Sequence, residues 1–141
     1  MMIKKIAFIC TGNSARSQMA EGFGRYYAKK LNKNIKVFSA GANPAGYVNP
    51  YAVKVMKEKG IDISKNFSKS LNEIPLNEID YIITLCGDAK ENCPVIHKAE
   101  TFHWGLPDPA KIEGSEEAKL KVFREIRDEI ENKILNFFKL I

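Results

Sequence analysis

Residues 4–22 read KKIAFICTGNSARSQMAEG, and this stretch decides the fold. Lys4-Lys5-Ile6-Ala7-Phe8-Ile9 is a short, mainly apolar run that ends at Cys10-Thr11-Gly12-Asn13-Ser14, a polar stretch with Gly and Asn in which a strand leaves its sheet. Met19, Phe23, Tyr27 and Leu31 then recur at near-helical spacing with polar residues between them. That periodicity predicts a helix from about residue 16 to 31. Lys29 and Lys30 suit its C-terminal end, where the helix dipole favours cations. Strand, tight polar loop and helix thus follow one another without a linker.

Working outward, Ile35-Lys36-Val37-Phe38-Ser39 reads as a second strand. Asn49-Pro50 opens a second helix in the favoured order of cap residue followed by proline, and Gly60 ends it. Tyr81-Ile82-Ile83-Thr84-Leu85 is a β-branched strand that delivers Cys86 to its carboxyl end, and Thr101-Phe102-His103-Trp104 is a shorter fourth. Ser115 caps a final helix whose buried stripe is Leu120, Phe123, Ile126, Ile130, Ile134, Phe137 and Ile141. Strands alternating with helices predict an α/β fold over residues 1–141: one domain, with a four-stranded parallel sheet and helices on both faces. Ligands in such folds bind at the carboxyl ends of the strands, where Cys10 and Cys86 both fall.

The 141 residues suit a single core that folds without disulfide or metal. No apolar run approaches the length that spans a bilayer, and MMIKK leads into a strand rather than a cleavage site, so a cytoplasmic protein is expected. The net charge of +5 divides into +10 for residues 1–70 and −5 for residues 71–141. The lysines of the first half are scattered and lack interleaved aromatics, which argues against nucleic acid. A positive field that draws a small oxyanion is the functional reading, and a solvated lysine-rich surface the bland one.

Cys10 and Arg16 stand five residues apart at the two ends of the loop. The backbone N–H groups of Thr11, Gly12, Asn13, Ser14, Ala15, Arg16 and Ser17 can converge on one point. The helix start adds unpaired donors, and the planar Arg16 fork holds two oxygens. The same field favours a Cys10 thiolate, hence a nucleophile, and the hydroxyls of Ser14 and Ser17 lie close in sequence to the sulfur. An inert buried cysteine with a coincidental arginine is the alternative; the surrounding strand, Gly, Asn and helix argue against it.

CTGNSARSQMAEG resembles the phosphate-binding loop of the low-molecular-weight tyrosine phosphatases and their arsenate reductase relatives. TLCGDAKENCP, HWGLPDPA and GSEEAKLKVFREIRDEI resemble the reductase branch. The resemblance implies that arsenate is reduced after Cys10 attacks it. Cys86 then displaces arsenite to give a Cys10–Cys86 disulfide, and Cys93 converts this to a Cys86–Cys93 disulfide that thioredoxin reduces. From the residues alone, the spacing permits this and no more. Asp108 matches the family's general acid, and Trp104 offers an apolar wall that would help it keep its proton. Some family members hold potassium through groups matching Asn13, Glu21, Ser39 and an aspartate near position 69. Lys69 or Ser70 falls in that place here, so a lysine ammonium is a candidate substitute and the potassium requirement stays open.

No tightly bound cofactor and a monomer are expected, with thioredoxin as partner, although glutaredoxin or a small thiol would serve the same chemistry. Zinc on Cys86, Cys93, His97 and His103 is disfavoured by a wide first spacing, and no metal is assigned. Two other functions compete: a phosphatase using Cys10, Arg16 and Asp108, which needs neither Cys86 nor Cys93, and a non-catalytic oxyanion-binding module.

Overall fold

Four strands and three α-helices alternate along the chain in the computed structural model, which describes residues 3–86 and 99–141. The strands are β1 (Lys4–Cys10), β2 (Ile35–Gly41), β3 (Tyr81–Cys86) and β4 (Glu100–Leu106). They pair in parallel in the order β2-β1-β3-β4. The chain moves outward from β1 to β2 and then crosses back to β3, so the crevice between the carboxyl ends of β1 and β3 is the switch point of the sheet. Cys10 and Cys86 are the last residues of those two strands.

The helices are α1 (Arg16–Lys30), α2 (Pro50–Lys57) and α3 (Glu116–Leu140). Asn49 caps α2 by accepting from the Tyr51 N–H at 2.8 Å, and Ser115 caps α3 by accepting from the Ala118 N–H at 3.1 Å. Both caps are those expected from the sequence. The sheet carries helices on both faces, of unequal kind. All three α-helices feed one core with Ile6, Phe8, Ile83 and Leu85. The other face, built on Ala7, Ile9, Ala40 and Ile82, is covered among the described residues by Ile74 and Ile79 from a segment with two single-turn 3-10 helices, Leu71–Glu73 and Leu76–Glu78. β1 and β3 are buried along most of their length, whereas β4, at the sheet edge, is largely exposed.

Two departures from the periodicity have physical causes. Helix α1 buries every residue from Arg16 to Gly24, polar ones included, because this half of it is enclosed by the sheet, α2 and α3 rather than lying on the surface. On α3, Arg127 joins the buried stripe. Its Nη1 donates to the Val55 carbonyl at 2.9 Å and to Glu58 Oε1 at 2.7 Å, while Arg124 grips Glu58 through Nε and Nη2. Hydrogen bonds from Arg124 first, and then from Arg127, hold the Glu58 carboxyl down at about 2. Tyr27 on α1 donates to Glu131 Oε2 on α3 at 2.6 Å; burial, reinforced by that carboxylate, pushes its phenol up to about 12. No helix among the described residues is long and apolar enough to cross a membrane.

Candidate active site

The loop between β1 and α1 is shaped by where its carbonyls go. Cys10, Thr11, Gly12 and Ser14 offer theirs outward to the N–H groups of Ala42, Asn43, Ala45 and Asn49, at 2.8 to 3.3 Å. The Asn13 carbonyl accepts from Gln18 Nε2 at 3.1 Å. With five consecutive carbonyls turned away, the N–H edges of the loop are left for the interior, and this is the geometry of an anion nest. Asn13 takes the left-handed conformation that the turn demands, at φ 47°, a region Asn tolerates better than most residues. No side chain caps the start of α1, so its dipole points into the same space.

Gly41 makes the close packing possible. A Cβ there would stand 2.5 Å from the Thr11 carbonyl oxygen and 2.9 Å from the Asn13 nitrogen, so only glycine lets the end of β2 lie against the loop. Reading the sequence missed Gly41 along with Gln18, Asn49 and Ser68, whose hydroxyl donates to the Gly12 carbonyl at 2.9 Å. Gln18 carried a signal, since it is a polar residue next to Met19 in the first half of a helix whose residues from Arg16 to Gly24 are all buried.

The Cys10 sulfur lies 2.9 Å from Ser17 Oγ and accepts from the Asn13 N–H at 3.3 Å. Ser17 is the hydroxyl that reaches the sulfur, while Ser14 lines the cavity above it. That cavity, about 170 Å³, is lined by Cys10, Gly12, Ser14, Ala15, Arg16 and Asp108, with Ala45, Tyr47, Asn49 and Ala110 at its sides. Cys10 is only 2% exposed, yet it is a free thiol at the floor of a cavity open to an oxyanion.

Arg16 enters from the first turn of α1. Its Nη1 donates to the Leu106 carbonyl at 2.9 Å and the Leu85 carbonyl at 3.3 Å, tying the guanidinium to the ends of β4 and β3. Its Nη2 is 3.8 Å from Asp108 Oδ2. Asp108 also caps the 3-10 turn Pro109–Lys111, accepting from the Ala110 N–H at 3.0 Å, while its other oxygen faces Arg16. The expected Trp104 wall is a correction. Trp104 packs with Phe8 and Phe137 in the helix-side core, whereas Asp108, past the end of the strand, meets Arg16 and a backbone N–H instead.

Cys86 Sγ lies 3.8 Å from Thr11 Oγ1, at the lip of the loop, and Cys86 is held in a disulfide. Cys93 and His97, with the segment expected to move between the two cysteines, lie outside the described residues. His103 Nδ1 is 2.6 Å from Thr84 Oγ1.

Behind Cys10 runs a buried polar chain. Asn13 Nδ2 donates to Ser17 Oγ at 2.8 Å and to Ser39 Oγ at 3.0 Å, and Ser39 donates in turn to Glu21. The Lys69 ammonium closes the chain, donating to Ser39 Oγ at 3.2 Å, Glu21 Oε1 at 3.3 Å and the Phe67 carbonyl at 3.3 Å. Asn13, Glu21, Ser39 and position 69 therefore do meet. However, Lys69 puts its own cation among the oxygens, and these residues do not fit a potassium ion as well. Ser70 is occupied elsewhere, capping the 3-10 turn that starts at Leu71.

The family model for low molecular weight phosphotyrosine protein phosphatase matches residues 5–141. An arsenate reductase of Halalkalibacterium halodurans is 50% identical over 135 residues, covering 95% of this chain and 94% of the relative. A solved arsenate reductase in its phosphate-binding state superposes with a TM-score of 0.77 at 32% identity, covering 99% of both chains. A thioredoxin-dependent arsenate reductase of Corynebacterium glutamicum superposes with a TM-score of 0.72 at 30% identity, over 97% of this chain and 61% of that one.

Proposed function

Since the chain belongs to the low molecular weight phosphotyrosine protein phosphatase family, we propose that it reduces arsenate to arsenite, with Cys10 as nucleophile and Cys86 as the source of the second sulfur. The oxyanion sits in the loop of residues 11–17 with two of its oxygens on the Arg16 fork. Cys10 attacks arsenic, and Asp108 gives the departing oxygen a proton so that it leaves as water. The Cys86 sulfur then attacks Cys10 Sγ. A sulfur–sulfur bond forms, the sulfur–arsenic bond breaks, and its electron pair remains on arsenic, which departs as arsenite. Cys93 transfers the disulfide to the Cys86–Cys93 pair, and thioredoxin is the dithiol that reduces it. The chain acts as a monomer in the cytoplasm, where thiols are kept reduced. Its reaction requires no potassium, because Lys69 supplies the cation.

The observation that carries this reading is the second sulfur. Ester hydrolysis needs Cys10, Arg16 and Asp108 but has no use for a cysteine at the end of the neighbouring strand, 3.8 Å from the Thr11 hydroxyl. The same cavity suits a small phosphate ester, so slow phosphatase turnover accompanies reduction. In the Cys86→Ser variant, arsenite production with thioredoxin should vanish while hydrolysis of p-nitrophenyl phosphate continues. Arsenate reduction at the wild-type rate in that variant would defeat the relay.

A further inference from the structure

Asn49 caps α2, and it also stands in the wall of the oxyanion cavity. Its polar groups can be followed one by one. The main-chain N–H donates to the Ser14 carbonyl at 2.8 Å, and the main-chain carbonyl accepts from the Val53 N–H at 3.1 Å. Oδ1 accepts from the Tyr51 N–H at 2.8 Å, and this contact decides which end of the amide is oxygen. That leaves Nδ2, which donates to no group among the described residues. Asn49 is only 7% exposed, and an amide nitrogen enclosed without a partner is costly. Every fully enclosed side-chain nitrogen and oxygen among the described residues is bonded, so Nδ2 reaches open space. The open space that Asn49 borders is the cavity above Cys10.

The sheet fixes the side from which Asn49 approaches. Residues 42–49 follow β2, on one side of β1, and Asp108 follows β4, on the other. One wall of the cavity therefore carries a carboxyl beside Arg16, and the opposite wall carries an uncharged donor. Asn49 also stands outside the ring of residues 11–17, because it meets Ser14 at a carbonyl that the ring turns outward. A tetrahedral anion seated over Cys10 gives three oxygens to the ring and points the fourth toward the mouth. A residue beyond the ring meets that fourth oxygen.

We propose that Asn49 is a further oxyanion-binding residue: Nδ2 donates a hydrogen bond to the outward-pointing oxygen of the bound anion, across the cavity from Asp108. The inference deepens the reductase reading and rests on its placement of the anion in the loop of residues 11–17. Its consequence is selectivity. In arsenate or inorganic phosphate the outward atom is an oxygen free to accept. In an organic ester that oxygen carries a carbon group, which weakens it as an acceptor and fills the space beside the amide. A phosphonate puts carbon in the same place and offers no acceptor at all. Asn49 thus favours an inorganic oxyanion over an ester in a cavity whose loop grips the other three oxygens of both alike.

The test is calorimetric titration of the fully reduced chain with inorganic phosphate and, separately, with phenylphosphonate. Asn49→Ser and Asn49→Asp both keep an oxygen for the Tyr51 N–H, and both residues cap helices about as well as Asn does, so α2 stays capped while the donor is lost. In Asn49→Ser, phosphate should bind about tenfold more weakly, the loss expected when a hydrogen bond to a charged group is removed, whereas phenylphosphonate affinity should shift by less than about twofold. Asn49→Asp puts a negative charge in the wall and should weaken both ligands, phosphate by about a hundredfold at pH 7. Unchanged phosphate affinity in Asn49→Ser overturns the inference and leaves Asn49 a cap alone, even if Asn49→Asp repels the anion. Equal losses for phosphate and phenylphosphonate in Asn49→Ser overturn it too, since they report a displaced loop. If the affinities move as expected but the wild-type chain releases no arsenite from arsenate with thioredoxin, the reductase reading fails and the Asn49 contact stands. If arsenite is released and phosphate affinity does not move, the reverse holds.

Discussion

Replacing Lys69 with alanine should create a dependence on potassium that the wild-type chain is expected to lack. The Lys69 ammonium lies 3.3 Å from Glu21 Oε1, and at an effective dielectric of about 20 that attraction amounts to roughly 5 kcal/mol before desolvation. Breaking a buried pair typically costs about 3–5 kcal/mol, because the remaining charge is left uncompensated. Here Arg25 still holds the other oxygen of Glu21, at 2.8 Å, so about 2–3 kcal/mol is the expected net loss. For a chain of this size, that lowers the melting temperature by roughly 5–10 °C. The alanine leaves Glu21 Oε1, Ser39 Oγ and the Phe67 carbonyl facing the volume the ammonium filled, a set of oxygens suited to a monovalent cation. Potassium at about a hundred times its dissociation constant would restore about 2.7 kcal/mol. Urea denaturation in potassium chloride, compared with choline chloride at equal ionic strength, separates specific binding from screening. The reasoning is refuted if the variant is as stable as the wild type in choline chloride, or if the wild type itself gains stability from potassium.

Three further outcomes follow from the geometry. Asp108→Asn removes the carboxyl proposed as proton donor beside Arg16 and should slow hydrolysis of aryl phosphates by about 10²–10⁴-fold, most for poor leaving groups; a loss independent of the leaving group would show that Asp108 only caps its turn. Glu58, held down at about 2 by Arg124 and Arg127, stabilises the fold fully above its ordinary value near 4.5, and that contribution disappears as pH falls toward 2. Allowing for its solvent-exposed side, Glu58→Gln should cost about 1–2 kcal/mol at pH 7 and little at pH 2, measured by acid and urea titration together. Gly41→Ala forces a methyl to 2.5 Å from the Thr11 carbonyl, so it should destabilise by about 1–3 kcal/mol and weaken phosphate binding measured by calorimetry; unchanged affinity would mean that the loop does not depend on this contact.

Much of the architecture was legible in local chemistry. The apolar run before Cys10, the Asn49-Pro50 start, the Ser115 cap and the α3 stripe are all encoded within a few residues of where they act, since caps and periodicity are short-range physics. The strands were placed correctly but read short, because Gly41, Cys86 and Leu106 extend them through pairing with neighbours that propensity does not see. Arg127 reads as a solvated helix residue until α2 brings the Val55 carbonyl and Glu58 to meet it.

The cradle divides in the same way. Cys10, Arg16, their spacing and the turn residues between them are properties of the chain alone, because a five-residue interval between a strand and a helix can close only into a tight loop. That the loop presents its N–H groups inward was decided by residues 42–49 and Gln18, which occupy its carbonyls from outside. The partner of Asp108 was likewise chosen by tertiary structure, as was the cation behind Ser39. Each depends on groups distant in sequence meeting in a buried or crowded place, where an unmet polar atom is costly and only the folded chain determines which partner is at hand.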